Sequence, residues 1–166
     1  MGLVRTKVRG LMMDERSKSP IVILQEEEGE RVLPIWIGES EARAIGVILA
    51  GENLERPLTH DLMATLVQSL KAKVTSITIT SLKENTFFAE ILLEMNGQQV
   101  LIDARPSDSI ALALRTNADI FVDEDVMGSG QGWTGKVQEK TEKEKAEELR
   151  QFLENMDPSD FGKFGI

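Results

Sequence analysis

Runs of residues with high strand propensity, mostly apolar, dominate the first part of the chain and predict β-strands. They cover Leu3 to Met13, Pro20 to Gln25 and Val32 to Ile37. The turn-forming segments DERSKS and EEEGE separate these strands. Gly38 ends the third strand, and Glu39 to Ala50 then spaces its apolar residues as a helix does, with Gly51 as its C-cap. The pattern therefore predicts three strands followed by one helix.

The middle of the chain predicts a second helix and a fourth strand. Thr59 is a good N-cap for a helix from His60 to about Lys71, and Asp61 in its first turn suits the helix dipole. Its apolar residues are predicted to share one face, namely Leu62, Met63, Leu66, Val67 and Leu70. A strand rich in Thr and Ile follows, from Val74 to Leu82.

A hairpin from Phe87 to Asp103 is the clearest local feature. Asn96-Gly97 suits a two-residue type I′ turn, and this loop pairs Ile91 with Ile102 and Glu90 with Asp103. The predicted core face comprises Ala89, Ile91, Leu93, Met95, Val100 and Ile102.

The other face of the hairpin places two carboxylates opposite each other. Glu90 and Asp103 repel each other unless a cation lies between them. Arg105 is one candidate, in a solvated cluster with both carboxylates, and a divalent metal is the other, since Mg²⁺ needs only one or two carboxylates.

An almost entirely apolar helix follows the hairpin. Residues Ile110 to Leu114 leave no polar stripe, so the helix is predicted to be buried on most sides, with its charged start at the rim of the core. A short strand from Ile120 to Val122 comes next.

The last part of the chain predicts an appendage. The glycine-rich composition of residues 128–135 predicts a flexible linker. Residues 139–156 are predicted to form a helix that docks only by its C-terminal half. The residues expected to dock are Leu149, Phe152, Leu153 and Met156. Phe161, Phe164 and Ile166 in the tail could anchor on the same chain or on a neighbour, and we expect a homo-oligomer, with a dimer as the simplest form.

These elements predict an α+β fold, with a mainly antiparallel sheet packed by about three helices and a C-terminal helical appendage. The expected units are a domain at 1–127, a linker at 128–135, and a helix with its tail at 136–166. IWIGESEA (35–42) and IDARPSDS (102–109) both run from a strand through a polar corner into a helix. Either an internal duplication or chance accounts for this match.

Composition excludes several classes of site. The chain of 166 residues has no cysteine and one histidine, His60, which excludes disulfides, thiolate sites and His-rich zinc sites. No P-loop, dinucleotide fingerprint, nucleophile elbow or HExxH motif occurs, so no organic cofactor is expected. With no apolar run of membrane-spanning length and no signal core, a cytoplasmic protein without membrane contact is expected.

Charge limits the ways in which this chain can meet nucleic acid. The formal net charge of −9 argues against a broad basic binding face, because neutralising phosphates requires clustered Lys and Arg. Any contact with nucleic acid must therefore be local or bridged by a cation.

Four motifs, in order, carry a family resemblance. They are LPIWIGESEARAI (33–45), RPLTHDL (56–62), TFFAEILLE (86–94) and DARPSDSIALALR (103–115). Together they resemble the bifunctional nuclease (BFN) domain family over roughly residues 3 to 127. The resemblance implies nuclease activity on DNA and RNA, and hence nucleic acid as the partner. Some relatives append a UvrB/UvrC-type helical motif, which the tail helix here does not match.

The resemblance also picks out polar positions in three corners of the chain. They are Glu39, Glu41 and Arg43 in the first corner, Arg56, His60 and Asp61 in the second, and Asp103, Arg105, Ser107 and Asp108 in the third.

Chemistry, rather than the family, suggests roles for these residues. Phosphodiester hydrolysis needs an activated water and a positive group for the transition state. The catalytic candidates are His60, Asp61, Asp103 and Asp108, and the phosphate-binding candidates are Arg43, Arg56, Arg105 and Ser107. Glu39, Glu41, Asp103 and Asp108 are candidate ligands for Mg²⁺ or Mn²⁺. Each acid in a first helical turn also has a purely structural explanation, since capping favours an acid there.

Two functions follow as alternatives. The first is a nuclease, a hydrolase of low sequence specificity that depends on a divalent metal. The second is a non-catalytic domain of the same fold that recognises a small anion or a partner protein. The low aromatic content of 5% and the negative charge favour the second.

Overall fold

A seven-stranded sheet forms the centre of the molecule. The computed structural model describes residues 2–130 and 142–155. Its strands are β1 (Leu3–Met13), β2 (Pro20–Glu26), β3 (Val32–Trp36), β4 (Lys73–Lys83), β5 (Thr86–Met95), β6 (Gln98–Ala104) and β7 (Asp119–Asp123). Its helices are α1 (Glu39–Leu49), α2 (Thr59–Ser69), α3 (Pro106–Thr116), α4 (Glu124–Ser129) and α5 (Glu142–Glu154). The sheet order is β3-β2-β1-β7-β4-β5-β6, which confirms the predicted α+β class.

The sheet consists of two similar halves around β7. In each half, three consecutive antiparallel strands lead into a helix: β1 to β3 into α1, and β4 to β6 into α3. Strand β7 joins the halves, pairing antiparallel with β1 and parallel with β4. The two segments that share a sequence pattern therefore occupy equivalent places in the fold, each between a third strand and its helix.

Helix α3 lies at the heart of the core, as its lack of a polar stripe predicts. Ile110, Ala111, Leu112 and Ala113 are all buried, and the helix contacts α1, α2, β4 and β5. Full burial of an Ile or Leu side chain contributes about 1.5–3 kcal/mol. The start of α3 is thereby held rigidly against two other helices.

The β5–β6 hairpin has the predicted register. Asn96 and Gly97 both have positive φ, as a type I′ turn requires, and Glu90 lies opposite Asp103. The prediction of which hairpin residues face the core was only partly right. Ala89 and Ile91 are buried and Leu93 packs against the core, whereas Met95, Val100 and Ile102 are exposed. Val100 and Ile102 lie on β6, the last strand of the described sheet, and Met95 adjoins the hairpin turn.

Helix α2 also departs from the prediction in which face it buries. Met63, Ala64 and Val67 pack on the core, while Leu62, Leu66 and Leu70 are exposed. Spacing identified a helix but not the side that its neighbour α3 covers.

The start of α2 lies one residue earlier than predicted. Leu58, not Thr59, is the N-cap. The carboxylate of Asp61 accepts a hydrogen bond from the Leu58 backbone N–H at 2.8 Å, so the acid holds the first turn without a hydroxyl cap.

Helices α1, α2 and α3 each end in a left-handed residue, which after α3 is Asn117 at φ 53°. Gly51 follows α1 at φ +66°, and its N–H and that of Glu52 bond to Ile48 and Val47, which is a Schellman motif. Lys71 takes the same place after α2 at φ 57°, where a side chain is strained.

The C-terminal appendage is only partly described. Gly128 and Ser129, at the start of the predicted linker, form the end of α4, a helix that the sequence pattern missed. Leu149 and Leu153 of α5 lie beside Gly46 of α1, so the docking of this helix through its apolar half is confirmed. Met156 and the tail residues Phe161, Phe164 and Ile166 lie outside the described residues. Among the described residues, no helix is long and apolar enough to cross a membrane.

Candidate active site at three helix starts

Three helices begin next to one another at the rim of the core. Each carries an acid at its third position: Glu41 in α1, Asp61 in α2 and Asp108 in α3. An acid in the first turn complements the partial positive charge of a helix start. Ion pairs and hydrogen bonds between the helices show that these starts converge.

Asp108 is the centre of this arrangement. Its Oδ1 lies 2.9 Å from His60 Nε2, and its Oδ2 accepts a hydrogen bond from Arg105 Nε at 2.8 Å. Arg105 also reaches α1, where its Nη2 donates to Glu41 Oε1 at 3.0 Å. We call the four residues Glu41, His60, Arg105 and Asp108 the Asp108 network.

Exposure divides the network into a shielded and an open part. The side chain of His60 is 10% exposed and that of Asp108 26%, whereas that of Arg105 is 65% exposed. The guanidinium therefore forms the solvent side of the cluster. Within the described part of the chain, its Nη1 has no hydrogen-bond partner, so two N–H groups of this exposed guanidinium are available to a ligand.

The network holds Asp108 in its ionised form. Burial alone raises the pKa of Asp108, but the hydrogen bonds from Arg105 and His60 outweigh it, and the net pKa is lowered. The hydrogen bond to Asp108 in turn raises the pKa of Arg105. An ionised carboxylate only accepts, so His60 Nε2 is the donor, and in the neutral imidazole Nδ1 carries the free lone pair.

A second ion pair lies behind the network and ties the same helices together. Arg115 of α3 donates to Asp61 Oδ1 at 2.5 Å, and to the carbonyl oxygens of Ala111 and Ala44, each at 2.9 Å. Its side chain is only 4% exposed. Burial raises the pKa of Asp61, but the bond from Arg115 reverses this and the net pKa is lowered. Arg115 thus links α1, α2 and α3, the three helices whose starts form the site.

Sequence reasoning did not select Arg115. The available signal was a single arginine at the end of an otherwise apolar helix, where an unpaired charge would be costly to bury. Its partner could not be inferred, because Asp61 lies 54 residues earlier in the chain.

The predicted cluster of Arg105 with Glu90 and Asp103 does not form. Strand β6 ends at Ala104, and Arg105 is already the N-cap of α3, so its side chain turns toward Asp108 rather than along the strand. Asp103 is exposed, and no described residue gives it or Glu90 an ion pair.

The remaining predicted residues lie around the network without joining it. Glu39 and Arg56 are exposed, and neither bonds to the Asp108 network. Arg43 and Ser107 are buried, each with 7% exposure, so they do not line the open side of the cluster.

The candidate metal ligands do not form a preformed metal site in the described residues. Within residues 2–130 and 142–155, no group of three or more His, Asp or Glu side chains is placed to hold a metal ion. The guanidinium of Arg105 lies where a cation shared by Glu41 and Asp108 would lie. The positive group that balances these carboxylates is therefore an arginine.

Comparison with known proteins assigns the sequence to a family. Residues 22–132 match the family model described as bifunctional nuclease domain. The chain belongs to the bifunctional nuclease domain family. The matched segment contains α1, α2 and α3, and so all of the Asp108 network.

Two groups of relatives are similar to this chain. An uncharacterized protein of Mycobacterium tuberculosis is 37% identical over 170 aligned positions, covering 97% of this chain and 98% of the relative. Bifunctional nuclease 2 of rice (Oryza sativa subsp. japonica) and bifunctional nuclease 1 of Arabidopsis thaliana are each 24% identical over 123 positions. Those matches cover 72% of this chain and 38% of each plant protein, so most of each plant protein lies outside the comparison.

Proposed function

We propose that this protein is a nuclease that hydrolyses phosphodiester bonds of DNA and RNA with low sequence specificity. One observation carries the proposal: an exposed arginine, Arg105, stands beside a shielded His60–Asp108 pair where three helices begin. Helix starts attract phosphate, because their free N–H groups carry partial positive charge. The relatives named as nucleases support the same conclusion.

Each member of the network has a role in the proposed reaction. His60 takes a proton from the attacking water at Nδ1, while Asp108 holds the imidazole through Nε2. The water oxygen bonds to phosphorus, the ester P–O bond breaks, and the leaving oxygen takes its proton from solvent. Arg105 binds the phosphate with its outward N–H groups and stabilises negative charge on the transition state. Glu41 fixes the guanidinium from the side of α1.

Dependence on Mg²⁺ or Mn²⁺ stays a prediction from the chemistry of phosphodiester hydrolysis. Glu41 and Asp108 are already shared with Arg105, so the described residues provide no preformed cage. Mg²⁺ binds in proteins through one or two carboxylates together with water and substrate phosphate. Glu39 and Asp103, both exposed near the helix starts of α1 and α3, stay candidate ligands of that kind.

A second candidate function rests on the balance of charge in the same site. Every carboxylate of the network already has a partner, and the whole chain carries a net charge of −9. Such a site suits recognition of a small anion by Arg105 without any chemistry. The two candidates predict the same binding residue but differ in turnover.

Degradation of single- and double-stranded DNA and RNA by the purified full chain tests the proposal. Each substrate is incubated with Mg²⁺, Mn²⁺ or EDTA, beside the variants His60→Ala and Arg105→Gln. Arg5→Gln is the matched control, because Arg5 also pairs with an aspartate, Asp119, but lies outside the network. We expect a loss of about 100-fold or more in the two network variants and none in the control.

Equal residual activity in all variants would identify a contaminating nuclease and overturn the proposal. Binding of phosphate that needs Arg105, without turnover of any substrate, would establish the second candidate. Activity that persists in EDTA would refute metal dependence alone. Asp103→Asn shows in the same assay whether Asp103 belongs to the machinery.

A further inference from the structure

Strand β6 leaves one edge of the sheet open. It is the last strand in the described sheet, is seven residues long, and contains neither proline nor lysine. Three consecutive residues on it are exposed apolar side chains: Val100 at 40%, Leu101 at 63% and Ile102 at 42%. The opposite edge, β3, is five residues long and contains Pro34. Proteins blunt free edges with short strands, proline and lysine, and β6 lacks these devices.

The hairpin register identifies the backbone groups that β6 presents outward. A two-residue turn bonds its flanking residues, so Met95 and Gln98 form a hydrogen-bonded pair. Hydrogen-bonded and non-bonded pairs then alternate along the ladder. Leu101 therefore falls in a non-bonded pair with Leu92, and the N–H and C=O groups of Gln99, Leu101 and Asp103 point away from β5.

These outward groups are complementary to a second copy of themselves. A two-fold axis at Leu101 pairs Leu101 with Leu101 of the second copy, and Gln99 with Asp103 of the second copy. All outward N–H and C=O groups of the three residues then find partners in an antiparallel ladder. A shift of the pairing register by one residue aligns outward groups with inward ones and breaks this match. A shift by two residues, with the axis at Val100, pairs Gln99 with Leu101 but places Asp103 opposite the turn residue Gly97, so only the axis at Leu101 satisfies all three residues within the strand.

The side chains fit the same register. Val100 faces Ile102 of the second copy on one side of the sheet, and Leu101 meets its own copy on the other. The Asp103 carboxylate comes beside the Gln99 amide, which can donate to it. The two Asp103 residues are about 14 Å apart along the strand, beyond the Debye length of about 8 Å at physiological salt. This edge thus lets two copies, each of net charge −9, approach without a close like-charge contact.

We propose that β6 is a self-association surface, through which two copies of this chain pair antiparallel about Leu101 into one continuous sheet. The Asp108 network starts at Arg105, immediately after β6, so each copy keeps its own site beside the interface. The proposal is independent of the nuclease activity.

Sedimentation of the full chain tests the interface. We expect a dimer in the wild type, and a dissociation constant at least about 10-fold weaker in Leu101→Lys, where two lysines face each other at the axis. Leu3→Lys is the matched control, since Leu3 is an exposed leucine of β1, which three strands separate from β6. It is expected to leave the dimer intact.

Cysteine cross-linking tests the register itself, because the chain has no cysteine of its own. Hydrogen-bonded antiparallel pairs have a Cα separation of about 5.5 Å, which suits a disulfide. Leu101→Cys is expected to form a disulfide-linked dimer on mild oxidation. Gln99→Cys and Asp103→Cys should each fail alone and cross-link when combined in one chain.

A wild type that stays monomeric at high concentration overturns the proposal. So does a dimer that survives Leu101→Lys and gives no cross-link at position 101, because its interface then lies elsewhere. If circular dichroism shows that Leu101→Lys does not fold, the cysteine variants decide: a disulfide-linked dimer of Leu101→Cys supports the interface, and its absence refutes it.

Discussion

His60 and Asp108 are 48 residues apart in the chain, and their side chains lie 2.9 Å apart across two helix starts. The carboxylate fixes which imidazole nitrogen carries hydrogen. We expect Asp108→Asn to lower kcat for nucleic-acid cleavage by about 10²–10⁴-fold, because it removes the group that holds the proposed base. It also frees Arg105 from its nearest partner, so KM should change as well.

The imidazole gives a readout that does not depend on activity. Since His60 is the single histidine, its ring nitrogens can be followed in ¹⁵N NMR without assignment. The wild type should show hydrogen on Nε2, and Asp108→Asn should lose this preference. Asp119→Asn, at the aspartate that pairs with Arg5, should alter neither the spectrum nor the rate. An unchanged tautomer in Asp108→Asn would contradict the positioning role.

Arg115 should matter for stability far more than an exposed arginine does. Arg115→Ala leaves Asp61 and two backbone carbonyls without their donor and opens a gap among three helices. We expect a loss of about 3 kcal/mol in the free energy of unfolding, measured by urea denaturation. Arg5→Ala, at an exposed ion pair, should shift the midpoint much less. Equal shifts would show that Arg115 does not join the helices.

Acid should weaken the fold through Asp61 and Asp108, the two aspartates that the ion pairs at the site hold ionised. The pKa values of Asp61 and Asp108 are lowered in the folded state, while an unfolded aspartate titrates near 3.9. Above about pH 5 their contribution is complete. As pH falls below the unfolded pKa and through the lowered ones, the unfolded state binds more protons and the free energy of unfolding falls.

Arg105→Gln separates the contribution of Asp108 from that of other carboxylates. Without the guanidinium, the pKa of Asp108 should rise toward its ordinary value, and the loss of stability between about pH 4 and pH 2.5 should become shallower. Urea midpoints measured across this range check it, with Arg150→Gln on the exposed face of α5 as the control. An identical slope in wild type and Arg105→Gln would argue against the pair.

Lys71 offers a stabilising change. It occupies the left-handed position after α2 at φ 57°, which glycine adopts without the clash of a side chain. Lys71→Gly should raise the free energy of unfolding by about 1 kcal/mol, seen as a rise of about 3 °C in the melting temperature. Lys73→Gly, two residues later in the extended β4, should do the opposite. A fall in both would show that φ at residue 71 is not strained.

Local chemistry explains which parts of the fold the sequence predicts. The Asn96-Gly97 turn fixes the register of its hairpin within a few residues, so Glu90 opposite Asp103 could be predicted. Burial depends on distant neighbours. Neither the exposure of Leu66 on α2 nor that of Ile102 on β6 could be predicted, because the first depends on where α3 packs and the second on which strand ends the sheet.

The candidate site shows the same division. The acids of the three helix starts and His60 were selected from the sequence, but their partners were not. Arg105 was one of two candidate cations for Glu90 and Asp103, whereas the turn into α3 directs it to Asp108 and to Glu41, 64 residues earlier. Contacts of this range depend on how the two halves of the sheet meet.

The two halves of the sheet also determine when the site can exist during folding. Glu41 belongs to the first strand-strand-strand-helix unit and Arg105 to the second, so the network closes loops of 48 and 64 residues. Neither unit contains both Arg105 and Glu41, the residue that fixes its guanidinium. We therefore expect the site to assemble late, after β7 has joined the halves, so that a nascent or partly folded chain carries none of its chemistry.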